Sequence, residues 1–178
     1  NFPVTKLIQV DIDASEIARN YPVDVGVVGD IRTVLTQLID MAQEKQVTGD
    51  YTVWHQEIAG YRKEWGDFIT PYGQSDADPI DPRRLIIDIR KVAPKDAIMF
   101  SDVGNNQPWV EQYWTTEVPN THFTAGGFAA MGFGVVGVLG AKLARPETTC
   151  INVCGDGGFM MMPHAVATAV QYNLPCVW

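Results

Sequence analysis

The chain has 178 residues, 46% of them hydrophobic, which is enough for one domain with a packed core or for one domain and part of another. The formal net charge of −8 argues against non-specific nucleic-acid binding, which needs a basic surface, although backbone amides and a metal ion can bind phosphate on an acidic protein. No apolar run reaches the roughly 18 residues of a membrane span, so no membrane partner is expected.

The amino terminus and the cysteines give an expectation for the cellular compartment. Residues 1–6 lack the basic and apolar regions of a secretory signal peptide. The three cysteines, Cys150, Cys154 and Cys176, do not form a disulfide framework. Cys150 and Cys154 lie in one apolar run without further metal ligands, so buried thiols are favoured over a metal pair. We therefore expect a reducing, cytoplasmic setting.

The first forty residues have the pattern of a parallel α/β sheet. Residues 6–13 are rich in β-branched side chains and predict a strand, and residues 14–20 predict a short helix or turn. A second strand is predicted at 25–28, followed by a helix that opens at 29–30 and runs to about residue 41. This β-α-β-α order yields only two strands, so the segment is expected to be the end of a longer domain.

The segment 44–81 is polar and carries several aromatic side chains. A helix is predicted near residues 51–68, followed by a stretch from 71 to 82 that is rich in proline, glycine and aspartate. We interpret the segment as a linker that packs against a neighbour through its aromatics. An aromatic binding site is the alternative that the pattern leaves open.

A second α/β unit is predicted from residue 82 onward. Its expected fold is a parallel sheet with helices on both faces. The predicted helices are 83–92, a helix that starts near 108, 129–143 and 163–172, and the predicted strands are 97–100, 148–154 and a strand that begins at 175.

The most informative local pattern follows the predicted strand 148–154. Gly155, Asp156, Gly157 and Gly158 place one carboxylate among three glycines, at the end of a strand where open parallel sheets bind ligands. Glycines let backbone amides approach an oxyanion, and a carboxylate can hold Mg²⁺ against phosphate oxygens. A tight turn with a capping aspartate is the alternative reading. The spacing matches neither a dinucleotide-binding fingerprint nor a P-loop.

A second glycine-rich segment covers residues 124–134. Glycine in a helix costs roughly 1 kcal/mol relative to alanine, so such a segment indicates that a ligand or another element approaches closely. For Gly137 and Gly140, further along, tight helix packing is the expected reason.

These features together resemble the diphosphate-binding domain of thiamine-diphosphate enzymes, and within that family acetolactate synthase and its relatives. Val-Gly-Asn-Asn-Gln-Pro-Trp at 103–109 resembles the family's Val-Gly-Gln-His-Gln-Met-Trp. Gly-Gly-Phe-Ala-Ala-Met-Gly-Phe-Gly at 126–134 resembles Gly-Gly-Leu-Gly-Thr-Met-Gly-Phe-Gly. The turn at 155–157 resembles the first half of a metal motif whose Asn-Asn end would lie beyond residue 178. Residues 10–30 resemble the end of the family's central domain.

The resemblance implies a domain division and a set of cofactor-binding residues. Residues 1–43 would be the end of the central domain, 44–81 a linker, and 82–178 a thiamine-diphosphate domain truncated on its C-terminal side. Asp156 would bind Mg²⁺, and Met131 would support the bent cofactor, which brings the 4′-amino group close to the thiazolium C2 carbon. The implied cofactor-binding residues are Asn105, Asn106, Ala129, Met131, Gly155, Asp156, Gly157 and Gly158.

Three departures from the family pattern matter for the site. Asn105 and Asn106 replace Gln-His, which shortens the reach toward phosphate and removes the charge option of histidine. Gly158 replaces a serine, which removes one hydroxyl. His164-Ala165 replaces Gln-Glu in the next helix.

The implied function is thiamine-diphosphate- and Mg²⁺-dependent decarboxylation of a 2-oxo acid with carboligation, by a transferase or lyase of the acetolactate synthase type. Two alternatives remain: a related thiamine-diphosphate enzyme, which could be a decarboxylase, a carboligase or a C–C hydrolase, or a non-catalytic module of this fold. Whether FAD is also bound stays open. The family's catalytic Glu lies in an N-terminal domain outside this sequence, so the chain carries no catalytic residue and is expected to be inactive alone. A second subunit would supply the pyrimidine site in a homodimer or homotetramer.

Overall fold

The computed structural model describes residues 5–178, which divide into one unit that ends at Ala59 and another that begins at Gly60. In the first unit, strand β1 (Ile8–Asp11) pairs in parallel with strand β2 (Val25–Val28). Both predicted strands are confirmed, and β1 is shorter at each end than the sequence pattern indicated.

The helical parts of the first unit are also confirmed. A short 3₁₀ helix covers Ala14–Glu16, and helix α1 spans Ile31–Glu44. The carboxylate of Asp30 accepts a 3.0 Å hydrogen bond from the Thr33 N–H and so caps α1. Val34 is buried in this unit, as the helical spacing predicted.

Helix α2 (Thr52–Gly73) occupies most of the predicted linker and runs past its predicted end at residue 68. A helix end before Pro71 was expected, because proline cannot donate the helical hydrogen bond. Aromatic packing on this helix favours its continuation: the Trp65 ring stacks on Tyr113 with centroids 6.0 Å apart. The aromatic packing predicted for this segment is confirmed at Trp65, and its role as a linker stays a prediction.

The second unit is built on a parallel sheet, as predicted. Strands β3 (Ile98–Ser101), β4 (His122–Thr124) and β5 (Cys150–Val153) lie in the order β4-β3-β5. In β3, the central strand, Met99 pairs with His122 of β4 on one side and with Ile151 of β5 on the other.

Two features at the sheet's edges refine the prediction. Val177 forms a parallel bridge with Ile151, which fits the strand predicted to begin at 175. The edge strand β4 was not predicted, because it has three residues, and two of them, Phe123 and Thr124, are exposed.

Helices cover both faces of this sheet. They are α3 (Pro82–Val92), α4 (Asn106–Tyr113) and α5 (Phe133–Ala144). Alternate residues of a strand point to opposite faces, which explains two separate core clusters. One joins the strands to α3 and α4 and contains Ile86, Ala97, Met99, Val110, Tyr113, Trp114 and Ile151. The other joins them to α5 and contains Ile98, Phe100, Val138 and Cys150.

Helix α5 begins later than the predicted start at residue 129. Ala129 has a φ of 51° and Gly132 a φ of 87°, and these left-handed conformations interrupt a right-handed helix. The segment before Phe133 is consequently a loop. Sequence pattern alone does not show this, because both alanine and methionine in the loop favour helix.

The predicted glycine-aspartate turn at 155–158 is wrong as a turn. Gly155 is the N-cap of helix α6 (Asp156–Met161), so the carboxylate and the next two glycines form the first helical turn. A second short helix, α7 (Ala165–Gln171), lies within the predicted helix 163–172.

Cys150, Cys154 and Cys176 are free thiols; Cys150 is buried as predicted, whereas Cys154 is only half-buried, and burial raises the pKa of Cys176 to about 11. None of the helices formed by residues 5–178 has the length and hydrophobicity that crossing a bilayer requires. The compartment itself stays a prediction.

Two glycines of α5 have opposite environments. A β-carbon at Gly137 would lie 2.6 Å from Cε1 of Phe100, a buried ring that stacks on Phe123 at 5.0 Å. A β-carbon at Gly140 would meet nothing within 4 Å. Tight packing is therefore confirmed for Gly137, against a strand rather than a helix, and is wrong for Gly140.

We expect the same substitution to act in opposite directions at these two positions. Gly137→Ala should destabilise the fold, because overpacking costs about 1–3 kcal/mol against a gain of about 1 kcal/mol in helix propensity. Gly140→Ala should stabilise it by about 0.5–1 kcal/mol. Urea unfolding of both variants of the complete protein measures this, and equal shifts would contradict the packing of Gly137 on Phe100.

Candidate functional site

The predicted site residues meet around a cavity of about 470 Å³ at the carboxyl ends of β3 and β5. Seven of the eight predicted residues line it: Asn105, Asn106, Met131, Gly155, Asp156, Gly157 and Gly158. Ligands of open parallel sheets bind at this edge. The remaining residue, Ala129, is not part of the cavity wall.

The first turn of α6 supplies unpaired donors and one carboxylate. The amide of Phe159 donates to the carbonyl of Gly155 at 3.0 Å, so the N–H groups of Asp156, Gly157 and Gly158 precede the first hydrogen bond of the helix. Asp156 is exposed beside them. Amides at a helix start attract anions, and an aspartate among them can hold a cation against such an anion.

Met131 lies against this helical turn. A β-carbon at Gly157 would lie 3.0 Å from Cε of Met131, so glycine at this position lets the thioether approach the helix backbone. The Met131 side chain keeps 44% of its surface exposed and lines the cavity. An adaptable apolar group therefore lies next to the polar helix start.

The two asparagines have different environments. Asn106 is buried, and its Nδ2 donates to the carbonyls of Asp102 at 2.7 Å and Val153 at 3.1 Å. Both of its amide hydrogens are thereby engaged, so Asn106 ties together the ends of β3 and β5 and has none left for a ligand. Asn105 is exposed on the cavity wall and makes no capping hydrogen bond.

Asp102 is a fully buried carboxylate directly after β3. Its Oδ1 accepts from the Val103 N–H at 2.8 Å, and its Oδ2 accepts from the Gly132 N–H at 2.9 Å. A β-carbon at Gly158 would lie 2.6 Å from the same Oδ2. The side chain thus contacts the loop before α5 and the first turn of α6 at once.

Cys154 adds a thiol to the cavity wall. Burial raises the pKa of this thiol, and the negative charge of Asp102 raises it further. The side chain therefore favours the neutral, protonated form.

Comparison with known families covers both units. The description "Thiamine pyrophosphate enzyme, C-terminal TPP binding domain" matches residues 102–178, which include the cavity's glycine and aspartate residues. The description "Thiamine pyrophosphate enzyme, central domain" matches residues 1–38. The chain belongs to the thiamine pyrophosphate enzymes. The family expected from the sequence motifs is thereby confirmed, together with the α/β fold.

Individual relatives within this family are acetolactate synthases. A probable acetolactate synthase large subunit of Methanocaldococcus jannaschii is 34% identical over 98% of this chain and 30% of its own length. The acetolactate synthase of Mycobacterium leprae is 34% identical over 97% of this chain, and the isozyme 3 large subunit of Escherichia coli is 31% identical over 97%. The chain spans less than a third of the length of these relatives.

The backbone amides and the Asp156 carboxylate at the start of α6 fit the cofactor of the thiamine pyrophosphate enzymes. Diphosphate oxygens need several donors, which the first turn of α6 offers, and Mg²⁺ needs hard oxygen ligands such as Asp156. No cluster of three or more His, Cys, Asp or Glu side chains suited to a metal occurs within residues 5–178. One carboxylate together with phosphate oxygens is nevertheless a common way to bind Mg²⁺.

Sequence reasoning missed part of the cavity wall. Ile80, Leu85 and Ile86 close one side from α3 and the loop before it, and Trp109 closes it from α4. No local motif marks these apolar residues, because only the tertiary fold brings them to the cavity at the carboxyl ends of β3 and β5. Asp102 had a usable signal: it is a charged residue immediately after a fully buried strand.

Ala129 is a strained position in the loop that carries Met131. The family has glycine where this chain has Ala129, whose φ of 51° lies in the region that disfavours side chains. Ala130, its exposed neighbour, is not among the residues with positive φ.

We expect valine to be tolerated at one of these neighbours and not at the other. Ala129→Val should lower stability by about 1–3 kcal/mol, because a β-branched residue is poorly accommodated at positive φ. Ala130→Val should change it by less than about 0.5 kcal/mol, and Ala129→Gly should be neutral or stabilising. Thermal unfolding of the three variants tests this, and an unaffected Ala129→Val variant would contradict the left-handed backbone.

Proposed function

We propose that the protein is a thiamine-diphosphate- and Mg²⁺-dependent enzyme that decarboxylates a 2-oxo acid and joins the remaining acyl unit to a second carbonyl compound, as an acetolactate synthase does. The observation that supports this most is the cavity where the unpaired amides and carboxylate of α6 meet Met131. Similarity to acetolactate synthases over 97% or more of the chain supports the same reaction.

The first turn of α6 would hold the charged end of the cofactor. The amides of Gly157 and Gly158 would donate to the diphosphate, and Gly155 would let the phosphate approach the backbone. Asp156 would bind Mg²⁺, which would neutralise the diphosphate, and a second protein ligand is expected beyond residue 178. Neutralising the diphosphate in this way offsets the cost of bringing its charge to an acidic protein.

The Met131 loop, which is residues 125–132 between β4 and α5, would hold the organic part of the cofactor. Met131 would support the bent conformation of the cofactor, and Ala129 would contact the cofactor from the same loop. Asn105 would donate to the diphosphate from the opposite wall, while Asn106 would act through the strand ends that it joins. Bound thiamine diphosphate supplies the electron sink for cleaving the bond between the carboxyl and carbonyl carbons.

The complete active site would require parts outside residues 1–178. We infer that the catalytic Glu and the pyrimidine site come from an N-terminal domain, contributed by a second subunit of a homodimer or homotetramer. The division into residues 1–43, 44–81 and 82–178 is part of this proposal, and FAD binding is left open. On this account, residues 1–178 alone release no CO₂ from any 2-oxo acid, and turnover by that segment would contradict it.

Cofactor binding to the complete protein should depend on both Mg²⁺ and Asp156. Asp156→Ala should weaken thiamine diphosphate binding by 10-fold or more, on the order of the 1.4 kcal/mol or more that a lost metal ligand represents. Isothermal titration with and without Mg²⁺ measures this. Glu147→Ala is the matched control, because Glu147 is also an exposed acidic residue of the second unit and lies outside the cavity.

The outcomes separate the alternatives. Tight binding that ignores Mg²⁺ and Asp156 would remove the proposed metal bridge. No binding by the unaltered protein would favour a non-catalytic module. If the cofactor binds as expected, products from a panel of 2-oxo acids decide the reaction: acetolactate supports the proposal, whereas an aldehyde or a hydrolysis product indicates a related decarboxylase or C–C hydrolase.

A further inference from the structure

The buried carboxylate of Asp102 has partners on three separate segments of the thiamine pyrophosphate domain. It is 0% exposed, and burying a carboxylate is costly unless hydrogen bonds compensate. Its compensation comes from the amides of Val103 and Gly132, the latter donating to both carboxylate oxygens at 2.9 and 3.1 Å. No Lys or Arg side chain within residues 5–178 forms an ion pair with it.

The Gly132 amide is the connection to the Met131 loop. Gly132 immediately follows Met131, so a hydrogen bond to its N–H fixes the peptide plane between the two residues. Gly132 also has the left-handed φ of 87° that ends the loop and precedes α5. The Asp102 carboxylate therefore sets where the Met131 side chain leaves the backbone.

The same carboxylate limits the position of α6. The position of a Gly158 β-carbon lies 2.6 Å from Oδ2 of Asp102, so the helix backbone packs directly on the carboxylate. A β-carbon at Gly134 would lie 2.3 Å from Nδ2 of Asn152 and 3.1 Å from the backbone nitrogen of Asp102. Glycine at both positions lets α5 and α6 pack closely around the ends of β3 and β5.

We propose that Asp102 is a positioning residue that holds the Met131 loop and the first turn of α6 in the geometry that receives the cofactor. The inference rests on the proposed function for what the site binds. It goes beyond that function by assigning the preorganisation of the site to a side chain that lies outside the cavity wall. Asp102 acts through Gly132 and Gly158 rather than by touching the cofactor.

The test uses Asp102→Asn in the complete protein. The amide keeps the size of the side chain but turns one acceptor into a donor, which then faces the N–H of Gly132 in one orientation and those of Val103 and Gly132 in the other. We expect thiamine diphosphate, titrated with saturating Mg²⁺, to bind on the order of 10- to 100-fold more weakly. In the cofactor-free protein, the Gly132 amide should exchange faster with deuterium.

Ser101→Ala is the control for general loss of stability. Ser101 is equally buried and adjacent, but its hydroxyl makes only a 3.4 Å contact with the Asp102 carbonyl. This variant should leave cofactor affinity and Gly132 exchange unchanged, even if it lowers the unfolding midpoint.

A double-mutant cycle with Met131→Ala separates positioning from mere stability. If Asp102 acts through the Met131 loop, Asp102→Asn should weaken binding less in the Met131→Ala background than in the unaltered protein. Fully additive effects, or unchanged affinity in Asp102→Asn, would overturn the positioning role while leaving the proposed function intact. An unaltered protein that binds no cofactor would instead reject the proposed function, and this role with it.

Gly158→Ala is the second variant in case Asp102→Asn does not fold. It keeps the carboxylate but presses a methyl group against Oδ2, so it should weaken cofactor binding and speed exchange at Gly132 as well. Normal exchange at Gly132 in this variant would overturn the coupling between α6 and the Met131 loop.

Discussion

The hydrogen bonds between the Asp102 carboxylate and the Gly132 amide are the constraint on which the cofactor site depends. They join the end of the central strand β3 to a loop that has no regular secondary structure to hold it. A loop with residues at positive φ has few intrinsic reasons to keep one conformation, so its order must come from tertiary contacts. Asn106 has the matching role between β3 and β5, because its amide binds a carbonyl at the end of each strand. Two buried polar side chains thus fix the edge of the sheet where ligands bind.

The amides at the start of α6 can serve as ligand donors only because the hydrogen bonds of Asp102 and Asn106 hold the surrounding backbone in place. Its amides have no partners within the helix, and exposed donors of this kind gain most when an anion reaches them without reorganising the backbone. The glycines at 157 and 158 have a packing role in addition to their backbone donors, since one admits Met131 and the other admits Asp102. A β-carbon at 158 would clash with the Asp102 carboxylate, whereas one at 157 would displace the Cε methyl of Met131 only slightly. Glycine replaces the family's serine at 158, and the contact with the Asp102 carboxylate gives a steric reason for a small residue there.

Much of this molecule could be predicted from sequence, and the failures have physical causes. Buried strands and amphipathic helices followed from residue periodicity, as for β3 and α3. The motif at 155–158 located the site, but its secondary structure was wrong because three glycines in four residues resemble a turn more than a helix. The loop before α5 was assigned to helix because alanine and methionine favour helix, whereas Ala129 adopts a left-handed backbone in a local turn, where its N–H donates to the Gly126 carbonyl at 3.2 Å. The different roles of Asn105, which is exposed on the cavity wall, and Asn106, which is buried between the strand ends, could not be predicted either, because burial distinguishes these residues and their sequence context does not.

The most direct test of this account is a crystal structure of the complete protein grown with thiamine diphosphate and Mg²⁺. The account predicts Mg²⁺ on the Asp156 carboxylate, diphosphate oxygens on the amides at the start of α6, and Met131 against the cofactor. The Asp102 carboxylate should still bind the Gly132 amide, with the loop unmoved relative to β3. A cofactor bound away from α6, or a Met131 loop that rearranges on binding and breaks that hydrogen bond, would contradict a preformed site.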